Sequence, residues 1–217
     1  TARQAALAAA EFNPDVIHGH YAAGFGLWAW RTPIRPKVIS VWGSDVIEFP
    51  NDPLRHCLLR RILLSADAIT ATSQYLKRAT VGMAKKLANR VEVIPFGVSI
   101  PPTVALPPAE PPLRLCYIKA HRRIYGPDIL IKALAQVRQR GHDVTLSLAG
   151  EGAMTGELRQ ICTKLGVDDA VTFAGFIDNA DIVNFISDHH AMVMPSHQES
   201  FGVAVLEAGA AGRPVVA

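Results

Sequence analysis

The sequence has few cysteines, few charges and no long hydrophobic run, and these shortages exclude several classes of protein. Its three cysteines, Cys57, Cys116 and Cys162, are scattered and odd in number, which favours reduced thiols over a disulfide framework or a zinc site. No apolar run reaches the roughly 18–20 residues of a membrane-spanning helix, and we expect no signal peptide. Hydrophobic residues make up 49% and charged residues 19% of the chain, which is typical of a globular protein with a buried core.

The charges are distributed unevenly. Up to residue 105 the chain has 12 lysines and arginines against 7 acidic residues, and from residue 106 it has 10 against 12. The basic first half suits an anionic surface, such as phospholipid or a phosphorylated acceptor, although ordinary surface charge is the alternative. Between residues 54 and 64, the pattern predicts a helix with a basic stripe formed by Arg55, His56, Arg60 and Arg61.

Short β-rich segments alternate with helical patterns along the whole chain. The predicted strands are 15–18, 37–41, 68–72, 91–95, 113–118, 144–149, 171–174, 191–194 and 214–217. The predicted helices are 2–11, 22–30, 53–65, 74–88, 127–140, 154–165, 179–188 and 202–211. Regular alternation predicts βαβ units, and therefore an α/β protein with doubly wound parallel sheets buried on both faces.

A proline-rich segment divides this pattern into two halves. Six prolines fall within residues 101–112, and proline neither donates to a β-ladder nor favours a helix, so we predict a stiff, extended linker. The predicted domains are therefore residues 1–100 and 113–217, each Rossmann-like, with a cleft between them. Because ligands of such sheets bind beyond the carboxyl ends of the strands, the polar and glycine residues that follow each strand are the candidates for a binding site.

Two carboxylates frame an apolar segment near the end of the chain. Residues 197–208 have the sequence HQESFGVAVLEA, in which Glu199 and Glu207 are eight positions apart. A helix starting near residues 200–202 would place Glu199 at its cap and Glu207 in its second turn. A helical separation of eight residues is about 12 Å, enough for the two carboxylates to contact opposite ends of a nucleotide-sugar. From spacing alone, the alternative is a capping residue and a solvent-exposed glutamate.

The wider sequence around these glutamates resembles the C-domain signature of retaining, nucleotide-sugar-dependent glycosyltransferases of family 4, which have the GT-B fold. That signature has a glutamate, seven residues and a second glutamate. It is matched here by Pro195, Ser196, Glu199, Ser200, Phe201, Gly202, Glu207, Ala208, Gly212 and Pro214. Segments 14–21, 40–46, 66–78, 93–98 and 171–177 resemble further segments of the same family in the same order. The resemblance covers nearly all of the chain.

The resemblance implies roles for residues of the second half. Glu199 would lie against the donor sugar as a catalytic residue, and Glu207 would bind the ribose. Other donor-binding residues would be Ser200, Phe201 and Gly202, and the glycine loop of Gly150 and Gly152. The family usually holds the diphosphate with an arginine and a lysine in a GRL-x-x-x-KG pattern, but this chain has KAHRRIYG at 119–126.

The departure from that pattern changes the candidate cations. Lys119 takes the usual glycine place, Ala120 the arginine place and Tyr125 the lysine place. We therefore predict that Lys119 contacts the phosphates, with Arg122 or Arg123 assisting. For the two arginines, the alternative is an exposed basic loop.

The first half departs from the family at one position as well. Many members have histidine where this chain has Trp42, and an indole offers one donor and a stacking face. His18 and His20, at a neighbouring strand end, are available for an acceptor-side role, or else they are core histidines. Ser44 is a further acceptor-side candidate. Asp45 either binds an acceptor hydroxyl or fixes the turn in which it lies.

The resemblance implies transfer of a sugar from a nucleoside-diphosphate-sugar to a glycan or lipid-linked glycan, with retention of anomeric configuration, in polysaccharide biosynthesis. It implies no metal, and no cofactor, since the nucleotide-sugar is a substrate. We expect no nucleic-acid partner and a cytoplasmic location, with peripheral contact between the basic stripe and an anionic inner membrane face. Two alternatives stay open: a nucleotide-sugar 2-epimerase on the same fold, and a non-catalytic nucleotide-sugar-binding protein.

The first and last residues of the sequence predict that the chain is a fragment of a longer protein. The sequence starts with Thr1 and a helical pattern, and it stops after a strand, PVVA. Members of the family usually have a strand and a glycine-rich loop before this point, and helices and a tail after it. We therefore expect both ends of a longer enzyme to be missing.

Overall fold

The structure is a computed structural model that describes residues 2–217. The chain forms two compact units. The first unit ends at Phe96 and the second begins at Gly97, so the proline-rich residues 101–112 are part of the second unit. Each unit has its own parallel β-sheet and its own hydrophobic core. The predicted α/β class with parallel sheets is confirmed. Among the described residues, no helix has both the length and the apolar character that a bilayer crossing needs.

The first unit is built on a four-stranded sheet in the order β1-β2-β3-β4. The strands are β1 (Ile17–His20), β2 (Lys37–Val41), β3 (Ala68–Ala71) and β4 (Val91–Val93). The α-helices are α1 (Ala2–Phe12), α2 (Gly26–Trp30), α3 (Ser44–Ile47), α4 (Pro53–Ser65) and α5 (Gln74–Met83). A π-helical turn, Tyr21–Phe25, leads into α2, and a 3₁₀ turn, Lys85–Leu87, follows α5.

Local chemistry accounts for the helix limits in this unit. The Asp52 carboxylate accepts the amides of Leu54 and Arg55 and caps α4, whose first residue is Pro53. The predicted single helix 74–88 is wrong, because Ala84 has an extended backbone that ends α5 at Met83. Helix α3 was not predicted, since a four-residue helix is too short to show hydrophobic periodicity.

The second unit has a five-stranded sheet in the order β7-β6-β5-β8-β9. The strands are β5 (Leu113–Ile118), β6 (Val144–Ala149), β7 (Val171–Gly175), β8 (Ala191–Val193) and β9 (Val215–Val216). The α-helices are α6 (Pro127–Gln139), α7 (Thr155–Leu165), α8 (Ile182–Ser187) and α9 (Val203–Ala210). The chain builds the sheet outward from β5 in one direction and then returns to add β8 on the other side. The winding therefore reverses between β5 and β8.

Part of the proline-rich segment packs against the second unit. Residues 97–112 contain neither helix nor strand, as the prolines predict. The buried guanidinium of Arg213 donates to the carbonyls of Ala105 and Leu106, at 2.9 and 3.1 Å. Val104 packs over Gly212, where a Cβ atom would lie only 2.5 Å from the valine side chain. These contacts tie residues 104–106 to the second unit.

Candidate functional site

The strongest candidate site lies where the winding of the second sheet reverses. Lys119 directly follows β5, and the segment from Met194 to Glu199 follows β8. These two strands are neighbours in the sheet although about 75 residues of sequence separate them. At such a reversal the loops from adjacent strands diverge and leave a crevice, which is where ligands of open parallel sheets bind.

The structure brings Lys119 and Glu199 together at this point. The Lys119 ammonium lies 2.9 Å from Oε1 and 3.0 Å from Oε2 of Glu199. The hydroxyl of Ser196 donates to Oε1 of the same carboxylate at 2.9 Å. Each side chain of the pair is only about one-fifth exposed, at 20% and 21%, so solvent screens the pair less than it would an exposed surface pair.

Tyr125 forms the wall behind the ammonium. The Lys119 nitrogen lies 4.8 Å from the centre of the Tyr125 ring, within the range of a cation–π contact. Tyr125 occupies the place where the family pattern has lysine. Tyr125 therefore contacts the Lys119 ammonium through its ring and contributes no cation of its own.

Glu207 lies in the second turn of α9, as predicted, and is half-buried. Burial raises the pKa of its carboxyl above the ordinary value, and the nearby charge of Lys119 partly opposes that rise. The predicted geometry of the two glutamates needs a correction, because α9 begins at Val203 with Gly202 as its cap. Glu199 lies in the irregular segment before the helix, so the helical separation of about 12 Å does not apply.

Glycines allow the loops around the site to pack backbone against backbone. A Cβ atom on Gly126 would lie 2.3 Å from the Pro195 carbonyl oxygen, and the Ile124 carbonyl accepts the amide of His197 at 2.9 Å. Gly126 also has a positive φ of 63°, which L side chains rarely adopt. These contacts join the loop after β5 to the loop after β8.

The predicted glycine loop packs in the same way. A Cβ atom on Gly150 would lie 2.2 Å from the carbonyl oxygen of Lys119, and one on Gly152 would lie 2.5 Å from that of His121. The His121 Nδ1 atom is 2.9 Å from the Thr155 hydroxyl. Both glycines are thus required for the backbone approach that positions Lys119, whatever they contribute to a ligand.

A cavity of about 320 Å³ opens beside Lys119 at the ends of β5, β6 and β7. Its volume lies at the lower end of the range of small-molecule sites, about 300–1,000 Å³. Its wall is mostly apolar, and it is lined by Ile118, Lys119, Ala120, Ala149, Gly150, Glu151, Phe176, Ile177, Asn179 and Ile182.

The remaining donor-side candidates are two arginines of the loop after β5 and two residues that precede α9. Arg123 is exposed and forms an ion pair of 3.2 Å with Glu157 of α7, which matches the exposed basic loop left open as its alternative. Arg122 lies 5.9 Å from the Tyr125 ring centre. Ser200 and Phe201 lie in the half-buried segment that precedes α9, next to its cap, Gly202.

The acceptor-side candidates gather at the carboxyl edge of the first sheet. His18 and His20 stack with ring centres 4.0 Å apart, and Trp42 meets His20 edge-on at 5.8 Å. The Ser44 hydroxyl lies 3.0 Å from that of Tyr21. Tyr21 has a left-handed backbone with φ of 71°, a strained conformation for a residue other than glycine.

Asp45 fixes the turn, which is the second of the two roles left open for it. It is fully buried, and its carboxylate accepts the amides of Ala22, Trp42 and Gly43 at 2.8, 3.1 and 2.9 Å. Three amide partners account for most of the acceptor capacity of this carboxylate. Asp45 thereby joins the end of β2 to the π-helical turn after β1.

Sequence reasoning missed several residues of both sites. The family pattern gives Tyr125 no role, and nothing in the sequence singles out Tyr21 or His121. Among the residues that the structure describes, 2–217, no cluster of three or more histidine, cysteine or acidic side chains is arranged to hold a metal ion.

Comparison with known proteins identifies the class that these features define. Residues 104–217 match the family described as Glycosyl transferases group 1, and residues 1–100 match the one described as Glycosyltransferase Family 4. The chain belongs to the group 1, family 4 glycosyltransferases.

Individual relatives agree with this assignment. The chain is 33% identical over 236 residues to a D-inositol 3-phosphate glycosyltransferase of Arthrobacter sp. (strain FB24), covering 94% of this chain and 54% of the relative. It is 31% identical over 213 residues to a GDP-mannose-dependent alpha-(1-6)-phosphatidylinositol monomannoside mannosyltransferase of Mycolicibacterium smegmatis, covering 88% and 54%. The chain thus spans about half the length of these relatives.

A solved structure shows the same fold. The HepE protein of Anabaena, crystallised with UDP and glucose, superposes with a TM-score of 0.81 at 23% identity, covering 100% of this chain and 62% of HepE.

Proposed function

We propose that the protein containing this chain transfers a sugar from a nucleoside-diphosphate-sugar to a glycan or lipid-linked acceptor, with retention of anomeric configuration. The observation that carries the proposal is the ion pair of Lys119 and Glu199 at the reversal point of the second sheet, with Glu207 on the helix that follows Glu199. One cation and two carboxylates match the chemical groups of such a donor. The cation suits the diphosphate, and the carboxylates suit the hydroxyls of the sugar and the ribose.

In this proposal the donor spans the crevice beside Lys119. The diphosphate lies at the ammonium, which has three N–H donors and keeps one for a ligand after contacting both oxygens of Glu199. The neighbouring apolar cavity takes the base. HepE was solved with UDP, and one relative is described as GDP-mannose-dependent, so both nucleotides belong in any binding test.

The proposed reaction breaks the bond between the sugar and the diphosphate. Negative charge grows on the leaving phosphate, and a fixed cation aimed at that charge stabilises the transition state. Lys119 is held from three sides by Glu199, by the Tyr125 ring and by the packing of Gly150 under its carbonyl, so little reorganisation is needed during the reaction. As that bond breaks, the acceptor hydroxyl oxygen bonds to the anomeric carbon and its proton passes to the leaving phosphate, and no metal enters this scheme. The reaction takes place in the cytoplasm.

Binding of nucleoside diphosphates tests the donor site directly. We expect Glu207→Ala to weaken UDP or GDP binding by about 10–150-fold in calorimetry on the intact protein, because a charged hydrogen bond contributes about 1.5–3 kcal/mol. Wild-type affinity should fall as the pH drops through the raised pKa of Glu207, since a protonated carboxyl loses its charge. Unchanged affinity in Glu207→Ala would assign this residue to the helix surface. Product analysis then separates transfer from epimerisation and from binding without turnover.

The exposed basic stripe of α4 leads to a proposal about the location of the acceptor. Leu54, Arg55, His56, Arg60 and Arg61 are all exposed, although Arg55 also pairs with Asp52 at 3.2 Å. We propose that this face contacts anionic lipid, where lipid-linked acceptors reside.

Vesicle co-sedimentation tests the lipid contact. Each exposed cation near an anionic membrane contributes about 1 kcal/mol, so binding should increase with anionic lipid and decrease with salt. The double variant Arg60→Glu/Arg61→Glu should stay in the supernatant, whereas Lys164→Glu, at an exposed position on the second unit, should sediment like the wild type. Intact protein that stays in the supernatant at low salt would exclude the contact.

A further inference from the structure

A buried histidine lies two positions after the lysine that is proposed to contact the phosphates. His121 has none of its surface exposed, although Lys119 itself is partly exposed. Lys119 takes the glycine place of the GRL-x-x-x-KG pattern, so His121 takes the place where that pattern has leucine. A titratable ring therefore occupies a buried position at which the pattern has an apolar side chain.

Backbone hydrogen bonds fix the segment that contains both residues. The Lys119 amide donates to the Ala149 carbonyl at 3.2 Å. The His121 amide donates to the Glu151 carbonyl, and the His121 carbonyl accepts the Met154 amide, both at 3.0 Å. All three partners lie between the last residue of β6 and the start of α7. The position of Lys119 therefore depends on how closely its segment packs against this stretch of chain.

The His121 ring joins the same two segments through a side-chain hydrogen bond. Its Nδ1 atom is 2.9 Å from the Thr155 hydroxyl. That hydroxyl donates to the Gly152 carbonyl at 3.0 Å and accepts the Gly152 amide at 3.1 Å. Because a hydroxyl has only one proton, this network assigns the proton of the uncharged imidazole to Nδ1, which donates to Thr155.

A second proton on the ring would go to Nε2, where nothing can accept it. The Nε2 atom is buried and, in the part of the chain that the structure describes, has no hydrogen-bond partner. The rings of Tyr117 and Phe173 lie beside the imidazole, with centres 6.2 and 6.1 Å away. A charged N–H group at this position would be separated from water and would lack an acceptor, so the fold disfavours the protonated ring.

The charged groups around the ring act in opposite directions. Burial lowers the pKa of His121, the Glu151 carboxylate raises it, and the Arg159 guanidinium lowers it. Arg159 lies 4.2 Å from the centre of the Phe173 ring. Burial raises the pKa of the Tyr117 phenol, so that group is neutral. His121 is therefore uncharged at neutral pH and takes up a proton only below its ordinary pKa of 6.5.

We infer that His121 is a positioning residue, which holds Lys119 in the donor site only while the imidazole is uncharged. Protonation at Nε2 would displace the ring from its buried place and loosen the hydrogen bonds between its segment and the end of β6. The inference rests on the proposed function, because it concerns the affinity for a nucleoside diphosphate. Acid should therefore weaken donor binding through His121, in addition to the effect of Glu207.

Calorimetry of UDP and GDP binding between about pH 8 and about pH 5 tests this on the intact protein. His121→Leu introduces the leucine of the pattern, and His121→Asn keeps an N–H donor for Thr155, but neither side chain can become charged. We expect both variants to bind like the wild type at the upper end of this range. Below pH 6.5 the wild-type dissociation constant should rise relative to that of either variant, by up to about tenfold per pH unit, the limit for one proton.

The ratio of the two dissociation constants isolates His121. Titration of Glu207 and of the ligand's phosphate affects wild type and variant alike, so both effects cancel in the ratio. His142→Asn, at an exposed position on the same unit, is the matched control and should keep the wild-type pH dependence. A ratio that stays constant over the whole pH range would overturn the inference.

A second design needs no substitution of His121, in case neither variant folds. It measures Glu207→Ala with a nucleotide-sugar, which lacks the terminal phosphate whose pKa is about 6. Binding that still weakens below pH 6.5 would support the role of His121. Binding that no longer depends on pH would assign the whole acid effect to Glu207 and the ligand, and the inference would be wrong.

Thermal unfolding of the ligand-free protein keeps this inference separate from the proposed function. Because folding lowers the pKa of His121, the wild type should lose stability relative to His121→Leu as the pH falls below 6.5. If that loss appears while no nucleoside diphosphate binds at any pH, His121 is the acid-sensitive group and the proposed function is wrong. If transfer occurs and the wild type and both variants share one pH dependence, the proposed function stands and the role of His121 is wrong.

Discussion

Replacing Lys119 by alanine should reduce sugar transfer by about 10²–10³-fold, which is the typical effect of losing one preorganised charge contact in a transition state. The same variant should bind a nucleoside diphosphate about 10–150-fold more weakly. Two effects add, because the ammonium is lost and the Glu199 carboxylate, which it contacts through both oxygens, is left uncompensated beside the diphosphate. Calorimetry with UDP and GDP, alongside a transfer assay on the intact protein, measures both losses.

The free nucleoside provides the internal control for this variant. A nucleoside has no phosphate, so its affinity should be nearly unchanged in Lys119→Ala. Equal losses for nucleoside and nucleoside diphosphate would indicate a folding defect. Lys164→Ala is a matched control, since Lys164 is exposed in the last turn of α7 on the same unit and should change neither quantity. Arg123→Ala tests the other candidate cation, and a large loss there with none in Lys119→Ala would move the phosphate contact to the exposed loop.

Replacing Glu199 by glutamine should separate catalysis from binding. Transfer should fall by about 10²–10³-fold, because the carboxylate that orients Lys119 and, by the family resemblance, lies against the donor sugar loses its charge. Binding of a nucleoside diphosphate should stay equal or become tighter, since the carboxylate no longer competes with the phosphates for the ammonium. The amide is nearly isosteric and can still accept from the Ser196 hydroxyl. The measured quantities are the turnover number and the dissociation constant of UDP or GDP.

Glu157→Gln is the matched control for Glu199→Gln. Glu157 pairs with an arginine on the exposed surface of the same unit, and exposed pairs contribute little, so both turnover and binding should match the wild type. A Glu199→Gln protein with wild-type turnover would remove this residue from the reaction. A loss of binding as large as the loss of turnover would make it a binding residue alone.

The fold class follows from the sequence because hydrophobic periodicity is a local property. Strands β2, β5 and β6 and helix α4 have the predicted limits, since their apolar runs are long and bounded by turn residues. Six prolines in twelve residues likewise predict the segment without regular structure. The two glutamates and the residues between them match the signature of the family to which the chain belongs.

The features that the sequence does not determine depend on contacts between residues that are far apart in the chain. Lys119 and Glu199 are 80 positions apart, and only the sheet order, which places β8 beside β5, brings them within hydrogen-bond distance. Residue type does not distinguish the two possible roles of Asp45 or those of Arg123. Only the structure shows that Asp45 is buried and accepts three backbone amides, and that Arg123 is exposed and pairs with Glu157. Within residues 2–217 the buried Thr72 hydroxyl has no hydrogen-bond partner, and no sequence pattern predicts this, because whether a polar group is satisfied depends on every neighbour that packs around it.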